Sequence, residues 1–192
     1  PHYSDKIAVW GPVFKKYLEE CKIPSKKIQV IGSPYFDELF EEYDQTSFEK
    51  TGFVLVAAQS PSSDGSVIDL EIKTMEKYLE TIRIICETVS NSKKELVIKL
   101  HPNPHEVDIT EFVKKIDPKI QVVKSGNISN LIKACDMLVT IDISTVILEA
   151  QISGKPVISV SVRDYNMGED NSSFFKSQSC IRTESRNFEI NF

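Results

Sequence analysis

The chain has 192 residues, of which 41% are hydrophobic and 27% are charged, and its formal net charge is −5. This length is enough for one large α/β domain and too short for two full ones. The lysines stand in scattered pairs rather than along a basic stripe, which argues against a protein that binds nucleic acid by neutralising phosphates.

The first quarter of the chain alternates short apolar runs with segments of helical spacing. Gly11-Pro12 ends the first run and Gly32-Ser33-Pro34 ends the second. The predicted elements are a strand at Lys6–Trp10, a helix at Val13–Cys21, a strand at Ile28–Ile31, a short helix around Phe36–Phe40 and a polar linker at Glu41–Lys50.

The same alternation continues to the middle of the last quarter. A nearly all-apolar run at Phe53–Ala58 predicts a strand buried on both faces. An apolar stripe from Ile72 to Val89 predicts a long helix over Ser66–Ser90. The pattern then predicts strands at Glu95–Leu100, Ile120–Val123, Met137–Ile141 and Pro156–Val160, and helices at Ile109–Ile116, Ile128–Ala134 and Ser144–Ile152.

Repeated strand–helix–strand units predict an α/β fold, with an open, Rossmann-like parallel sheet and helices on both faces. The pattern weakens after Tyr165, although Phe188–Ile190 is a candidate for one more element. Because the chain begins and ends in mid-pattern, we expect residues 1–192 to form a single domain taken from a longer protein.

Cysteine usage and hydropathy indicate the cellular setting. The four cysteines (Cys21, Cys86, Cys135 and Cys180) are scattered, without a CxxC pair and without a histidine at metal-ligand spacing. Cys86 and Cys135 have apolar neighbours and are predicted to be buried. No apolar run is long enough to cross a bilayer. A reducing cytoplasm is the simplest setting for such a chain, and no metal site is predicted.

The segment from Ala134 to Val160 is the most informative part of the sequence. It contains a strand, the pair Ser144-Thr145 at the start of a predicted helix, and a second strand introduced by Gly154-Lys155-Pro156. In open α/β folds nucleotides bind where the carboxyl ends of such strands meet. The N–H groups at a helix start favour an anion, although plain capping by Ser144 or by the preceding Asp142 is the alternative.

Glu149 lies on the same helix, four residues after Thr145 and therefore on the same face. Its neighbours Val146, Ile147 and Ala150 indicate a largely buried helix, and a buried carboxylate needs a partner. We favour the two hydroxyls of a ribose as that partner over a glutamate that faces solvent.

His101 follows the predicted strand Glu95–Leu100, and Pro102 ends that strand. An imidazole at this edge can donate a hydrogen bond to a diphosphate oxygen, while a histidine packed in the loop is an equal alternative. His105 would lie one helical turn further on, but without a third ligand the pair does not predict a metal site.

Two loops add weaker candidates. Gln59 and Ser60 open a polar loop that runs to Gly65 and is positioned to approach a phosphate, although it carries neither GxGxxG nor a P-loop. Arg163 to Asn166 follow the last predicted strand at the same edge and are candidates for contact with a transferred group.

Several segments together resemble the C-terminal domain of GT-B fold sugar-nucleotide enzymes. The best match is to surface-polysaccharide glycosyltransferases; CDP-glycerol glycerophosphotransferases and non-hydrolysing UDP-N-acetylglucosamine 2-epimerases are similar relatives. Ile28–Asp37 is similar to the start of their C-terminal lobe. Lys99-Leu100-His101-Pro102 resembles their His-Pro segment, whose histidine contacts phosphate. Asp136–Pro156 resembles the segment whose Ser/Thr hydroxyls meet phosphate and whose glutamate meets ribose.

Two departures favour the glycosyltransferase interpretation. Thr140 to Thr145 differs from the T-D-Y-S-S of the glycerophosphotransferases, and the glycine pair of the epimerases before the glutamate helix is missing. The alternatives are a sugar-nucleotide epimerase and a nucleotide-binding or structural lobe without turnover of its own.

The resemblance implies one half of a GT-B fold that binds a UDP-, CMP- or CDP-linked sugar as donor substrate and needs no other cofactor. It further implies a glycan or lipid-linked acceptor, an N-terminal lobe that supplies the catalytic base, no role for nucleic acid and at most peripheral contact with a membrane. The chain alone is expected to be inactive. The nucleotide-binding residues implied are His101, also a candidate stabiliser of the leaving phosphate, with Ser144, Thr145, Glu149, Gln59 and Ser60.

Overall fold

The computed structural model describes residues 4–43, 52–61, 68–142, 144–162 and 180–192. The chain divides into two compact units, the first within residues 1–46 and 167–173 and the second within 47–166 and 174–192. The loop residues Ser62 to Gly65, most of the predicted linker and Arg163 to Asn166 lie outside the described residues.

The first unit contains two short parallel strands with a helix between them, as the sequence predicts. Ile7 pairs with Ile28 in the register of the two strands. Pro12 is the first helical residue, where the N–H that proline lacks would have no partner within the helix. The elements are β1 (Ile7–Val9), α1 (Pro12–Glu20), β2 (Ile28–Val30) and α2 (Asp37–Tyr43), the last preceded by a 3-10 turn at Pro34–Phe36.

The second unit is built on a six-stranded sheet in which every pair of neighbours is parallel. Its strands are β3 (Phe53–Ala58), β4 (Glu95–Leu100), β5 (Gln121–Val123), β6 (Met137–Ile141), β7 (Val157–Ser161) and β8 (Cys180–Glu184). Their spatial order is β5-β4-β3-β6-β7-β8. Counted from β3, this is the 3-2-1-4-5-6 order of the Rossmann fold, so the predicted fold class is confirmed.

Helices cover both faces of this sheet and enclose two apolar cores. These helices are α3 (Ile68–Asn91), α4 (Thr110–Ile116), α5 (Ile128–Ala134), α6 (Val146–Ile152) and α7 (Phe188–Asn191). One core joins α3, α4 and α7 to residues such as Val56 and Ile98, and the other joins α5 and α6 to Leu55 and Leu138. Successive residues of β3 therefore point into different cores, which explains its all-apolar sequence.

The strand β8 was not predicted from the sequence. Cys180 and Thr183 are buried, whereas Ile181, Arg182 and Glu184 are exposed, which is neither a regular alternation nor an apolar run. Each of its five residues nevertheless pairs with β7. At the edge of a sheet a polar sequence is tolerated, and it discourages pairing with other chains.

Among the described residues, no helix combines the length and the apolar character needed to span a membrane.

Candidate functional site

The predicted site residues follow three adjacent strands of the sheet. In the parallel register, Ala57 on β3 lies opposite Lys99 on β4 and Thr140 on β6. Gln59-Ser60 and His101 come directly after β3 and β4, and Ser144-Thr145 follow the end of β6 after two intervening residues. All of them therefore belong to one edge of the sheet. The direction of the strand order reverses between β3 and β6, which is where open α/β sheets form a ligand crevice.

Glu149 lies in the first turn of α6 and is only 3% exposed. Its Oε2 accepts a hydrogen bond of 2.7 Å from the hydroxyl of Ser129 on α5. The burial agrees with the apolar neighbours on α6, of which Val146, Ile147 and Ala150 are also buried. The carboxylate is thus held between two helices on one face of the sheet, near its carboxyl edge.

Ser129 is a site residue that sequence reasoning missed. It stands at the start of α5, where the side chain of the N-cap residue Asn127 accepts a hydrogen bond of 2.8 Å from the Ser129 N–H. Asn127 is recognisable from the sequence as an N-cap residue. The contact between Ser129 and Glu149 is not, because it spans 20 residues and depends on the packing of α5 against α6.

The start of α6 carries two hydroxyls. The N-cap is Thr145 rather than Ser144, and its side chain makes no capping hydrogen bond. The carbonyls of Ser144 and Thr145 accept from the N–H groups of Ile147 and Leu148, at 3.2 and 3.1 Å. Because the N-cap position belongs to Thr145, the interpretation of Ser144 as a plain helix cap is not supported. Thr145 is exposed and Ser144 is half-buried.

Asp142 fixes the loop that precedes this helix. Its backbone is left-handed, with φ of 58°. Its N–H donates to the carbonyl of Val160 at 2.8 Å, and its own carbonyl accepts from the hydroxyls of Thr140 and Ser159 at 3.2 and 3.0 Å. The carboxylate, predicted to cap α6 or touch a ligand, accepts from the N–H of Val162 at 2.8 Å and ties the loop to the end of β7.

His101 is exposed at the end of β4, and its backbone N–H donates to the carbonyl of Ala58 at 3.0 Å. Its Nδ1 accepts a hydrogen bond of 3.2 Å from the N–H of Asn103. A neutral imidazole that accepts at Nδ1 carries its proton on Nε2. The ring is therefore bonded to the loop on one side and presents a donor on the other.

Ser60 is fully buried and is engaged by the loop that follows β4. Its N–H donates to both carboxylate oxygens of Glu106, at 2.9 and 3.1 Å, and its Oγ accepts from the N–H of Val107 at 3.2 Å. A phosphate bound at the Ser60 N–H would have to displace Glu106. Nothing in the sequence indicates the role of Glu106, which lies 46 residues further along the chain.

Three of the four cysteines are buried and unreactive, and Cys21 is exposed. Cys86, Cys135 and Cys180 are buried free thiols, and burial raises their pKa to about 12, 11 and 11, so they stay protonated. In the part of the chain that the structure describes, no group of three or more His, Cys, Asp or Glu residues is placed to hold a metal ion.

No protein-family model and no curated protein matches the sequence. Solved structures do match it. The UDP-GlcNAc 2-epimerase of Methanocaldococcus jannaschii, in complex with UDP-GlcNAc and UDP, matches over 98% of this chain and 53% of its own, with a TM-score of 0.66 and 15% identity. The UDP-GlcNAc 2-epimerase from Neisseria meningitidis, bound to UDP-GlcNAc, covers 97% of this chain and 50% of its own, with a TM-score of 0.60 and 15% identity.

A glycosyltransferase, SnogD from Streptomyces nogalater, matches 93% of this chain and 43% of its own, with a TM-score of 0.51 and 12% identity. The chain thus spans about half the length of the solved structures that it matches. At this level of identity the similarity concerns the fold. The chain has the fold of a GT-B-like domain, which it shares with UDP-GlcNAc 2-epimerases and with GT-B glycosyltransferases.

Proposed function

We propose that this chain is the donor-binding domain of a GT-B-type glycosyltransferase that uses a nucleotide-activated sugar to build a cell-surface polysaccharide or glycoconjugate. The observation that carries the proposal is the buried carboxylate of Glu149, close to the edge where the strand order reverses. Burying a carboxylate is costly unless hydrogen bonds compensate it. The hydroxyls of a ribose are hydrogen-bond donors of the kind that a buried carboxylate accepts, as the Ser129 hydroxyl already shows.

The remaining residues suit the diphosphate of such a donor. His101 follows β4 and Ser144-Thr145 follow β6, so they lie on either side of β3. The Nε2–H of His101 and the two hydroxyls can donate to phosphate oxygens and stabilise the charge that develops on the leaving nucleotide. In this proposal the catalytic base and the acceptor site belong to another lobe, and the enzyme works in the cytoplasm.

The 2-epimerases favour a second candidate function, because two of them match nearly the whole of this chain. An epimerase would convert the sugar of a nucleotide sugar without any acceptor. Incubating the protein with UDP-GlcNAc alone and analysing the sugar by NMR separates the two activities. Epimerised sugar would favour the second candidate, whereas transfer that requires an acceptor would favour the first.

The test of the proposed function is a calorimetric titration of the chain with UDP, CMP, CDP and GDP. We expect one of them to bind, and Glu149→Ala to weaken it by roughly 10-fold or more, since a hydrogen bond to a charged group contributes about 1.5–3 kcal/mol. The matched control is Glu111→Ala, which removes an exposed first-turn glutamate from α4 on the other face of the sheet. Equal affinity of Glu149→Ala and the control, or no binding of any nucleotide, would refute the proposal.

A further inference from the structure

Lys99 is an unusual residue of the sheet because it is a lysine that is only 3% exposed. It lies in β4, two residues before His101. Its Nζ donates to the carbonyl of Leu100 at 2.7 Å and to the carbonyl of Lys124, just after β5, at 3.3 Å. The ammonium therefore lies at the carboxyl end of β4, among backbone carbonyls.

Within the described residues, no carboxylate pairs with this ammonium. The neighbouring Lys124 has one, since its own Nζ pairs with Asp108 on the surface. Glu149 is bonded to Ser129 and not to Lys99. Burial without a counter-charge lowers the pKa of Lys99, which is the sign of a charge that the surroundings do not compensate.

The position of Lys99 places this charge on the side of the sheet that carries Glu149. Val97, two residues earlier on β4, belongs to the core formed with α5 and α6, and alternate residues of a strand share a face. In the register, Lys99 lies opposite Ala57 of β3, which is in turn opposite Thr140 of β6. The charge thus lies one strand from the point where the strand order reverses, with only the small side chain of Ala57 between.

We propose that Lys99 is a buried counter-charge for an anionic ligand bound at the carboxyl ends of β3, β4 and β6, and that it positions His101 through the Leu100 carbonyl. This inference rests on the proposed function, because it identifies the ligand as an anion, such as a nucleoside diphosphate. In a partly desolvated site, an opposite charge attracts the ligand far more strongly than a surface lysine does. Without an anionic ligand, a buried charge that lacks a counter-charge destabilises the folded state. An apolar side chain of similar volume would remove that cost.

The test compares Lys99→Met with the matched control Lys114→Met, which removes an exposed lysine from α4. The affinities for UDP, for inorganic pyrophosphate and for uncharged uridine are measured for each variant. We expect Lys99→Met to weaken UDP and pyrophosphate by about 10-fold or more, to leave uridine within about twofold, and not to lower the urea midpoint of unfolding. Lys99→Arg, which keeps the charge, should recover part of the UDP affinity.

Other results overturn the inference. Unchanged UDP affinity in Lys99→Met would show that the charge does not reach the ligand. A lower unfolding midpoint together with equal losses for UDP and uridine would show that Lys99 is merely structural. The pyrophosphate measurement separates this inference from the proposed function: binding of pyrophosphate that depends on Lys99, without binding of any nucleotide, would support the anion site and refute the nucleotide. If the wild type binds neither, both fail.

Discussion

Asp142 offers the sharpest test of the structure, because its backbone and its side chain make separable contributions to stability. A residue other than glycine in the left-handed region costs about 1–2 kcal/mol, and Asn and Asp tolerate that region best. The bond from the Val162 N–H to the carboxylate adds about 1.5–3 kcal/mol, the range for charged acceptors. Replacing Asp142 by alanine removes the bond and keeps an unfavourable backbone.

We therefore expect Asp142→Ala to lower the free energy of unfolding by about 2–4 kcal/mol. Asp142→Gly should cost about 1 kcal/mol less than alanine, because glycine adopts the left-handed region freely. Asp142→Asn should cost about 1 kcal/mol or less, since its amide oxygen can still accept from Val162. The order of stability is thus Asn, Gly, Ala, with glycine above alanine, the reverse of their usual order in regular structure.

The assay is urea unfolding followed by far-ultraviolet circular dichroism. Fluorescence of Trp10 is unsuitable, because Trp10 belongs to the first unit and Asp142 to the second. Lys93 provides the control, since its φ of 59° is nearly the same and its exposed side chain makes no hydrogen bond among the described residues. The difference between alanine and glycine should be alike at positions 93 and 142. Alanine as stable as glycine at position 142, or asparagine as costly as alanine, would refute the reasoning.

Two further predictions concern buried groups. The hydroxyl of Tyr78 is fully buried and has no hydrogen-bond partner in the described part of the chain, so Tyr78→Phe should leave the urea midpoint unchanged or raise it. A loss of more than about 1 kcal/mol would show that the hydroxyl has a partner. Among the four cysteines, Cys21 is exposed and the other three are buried with a pKa of about 11 or above. A thiol reagent at pH 8 should therefore label Cys21 alone in the folded chain, as peptide mass spectrometry can show, and fast labelling of Cys135 would contradict the structure.

Much of the fold could be predicted because its signals are local. The bounds of α5 and β6 agree with the sequence prediction to the residue, since their apolar residues recur at helical and strand spacing within a few positions. The strand β8 escaped prediction for the opposite reason: its five residues carry no strand pattern, and only the exposed edge of β7 makes them a strand. Most other boundaries differ by one or two residues, as with α6, which begins at Val146 rather than Ser144. The helix α2 ends at Tyr43, three residues into the predicted linker.

The candidate site was predicted only in part, and the contacts that were missed all join residues far apart in the sequence. The sequence indicates which residues lie after each strand, because parallel strands bring their carboxyl ends to one edge. The sequence does not indicate which of these residues will form hydrogen bonds with distant residues of the chain. The pairs Ser129 with Glu149 and Ser60 with Glu106 join residues 20 and 46 positions apart. In the sequence, Lys99 cannot be told from other lysines in strands. Only the fold brings the Lys124 carbonyl, just after β5, within hydrogen-bond distance of its ammonium.

These contacts have a common consequence for how a ligand would bind. Asp142, Ser60 and Lys99 each hold a loop at the carboxyl edge through bonds to the backbone of a neighbouring segment. At these bonded residues the backbone is held before a ligand arrives, which lowers the entropy that binding must remove. The same edge contains a left-handed aspartate and a buried ammonium that no carboxylate of the described residues pairs with, both of which cost stability. Local strain and uncompensated charge are expected where a protein keeps an arrangement for binding at the expense of stability, so the edge between β4 and β6 is where ligand binding should first be sought.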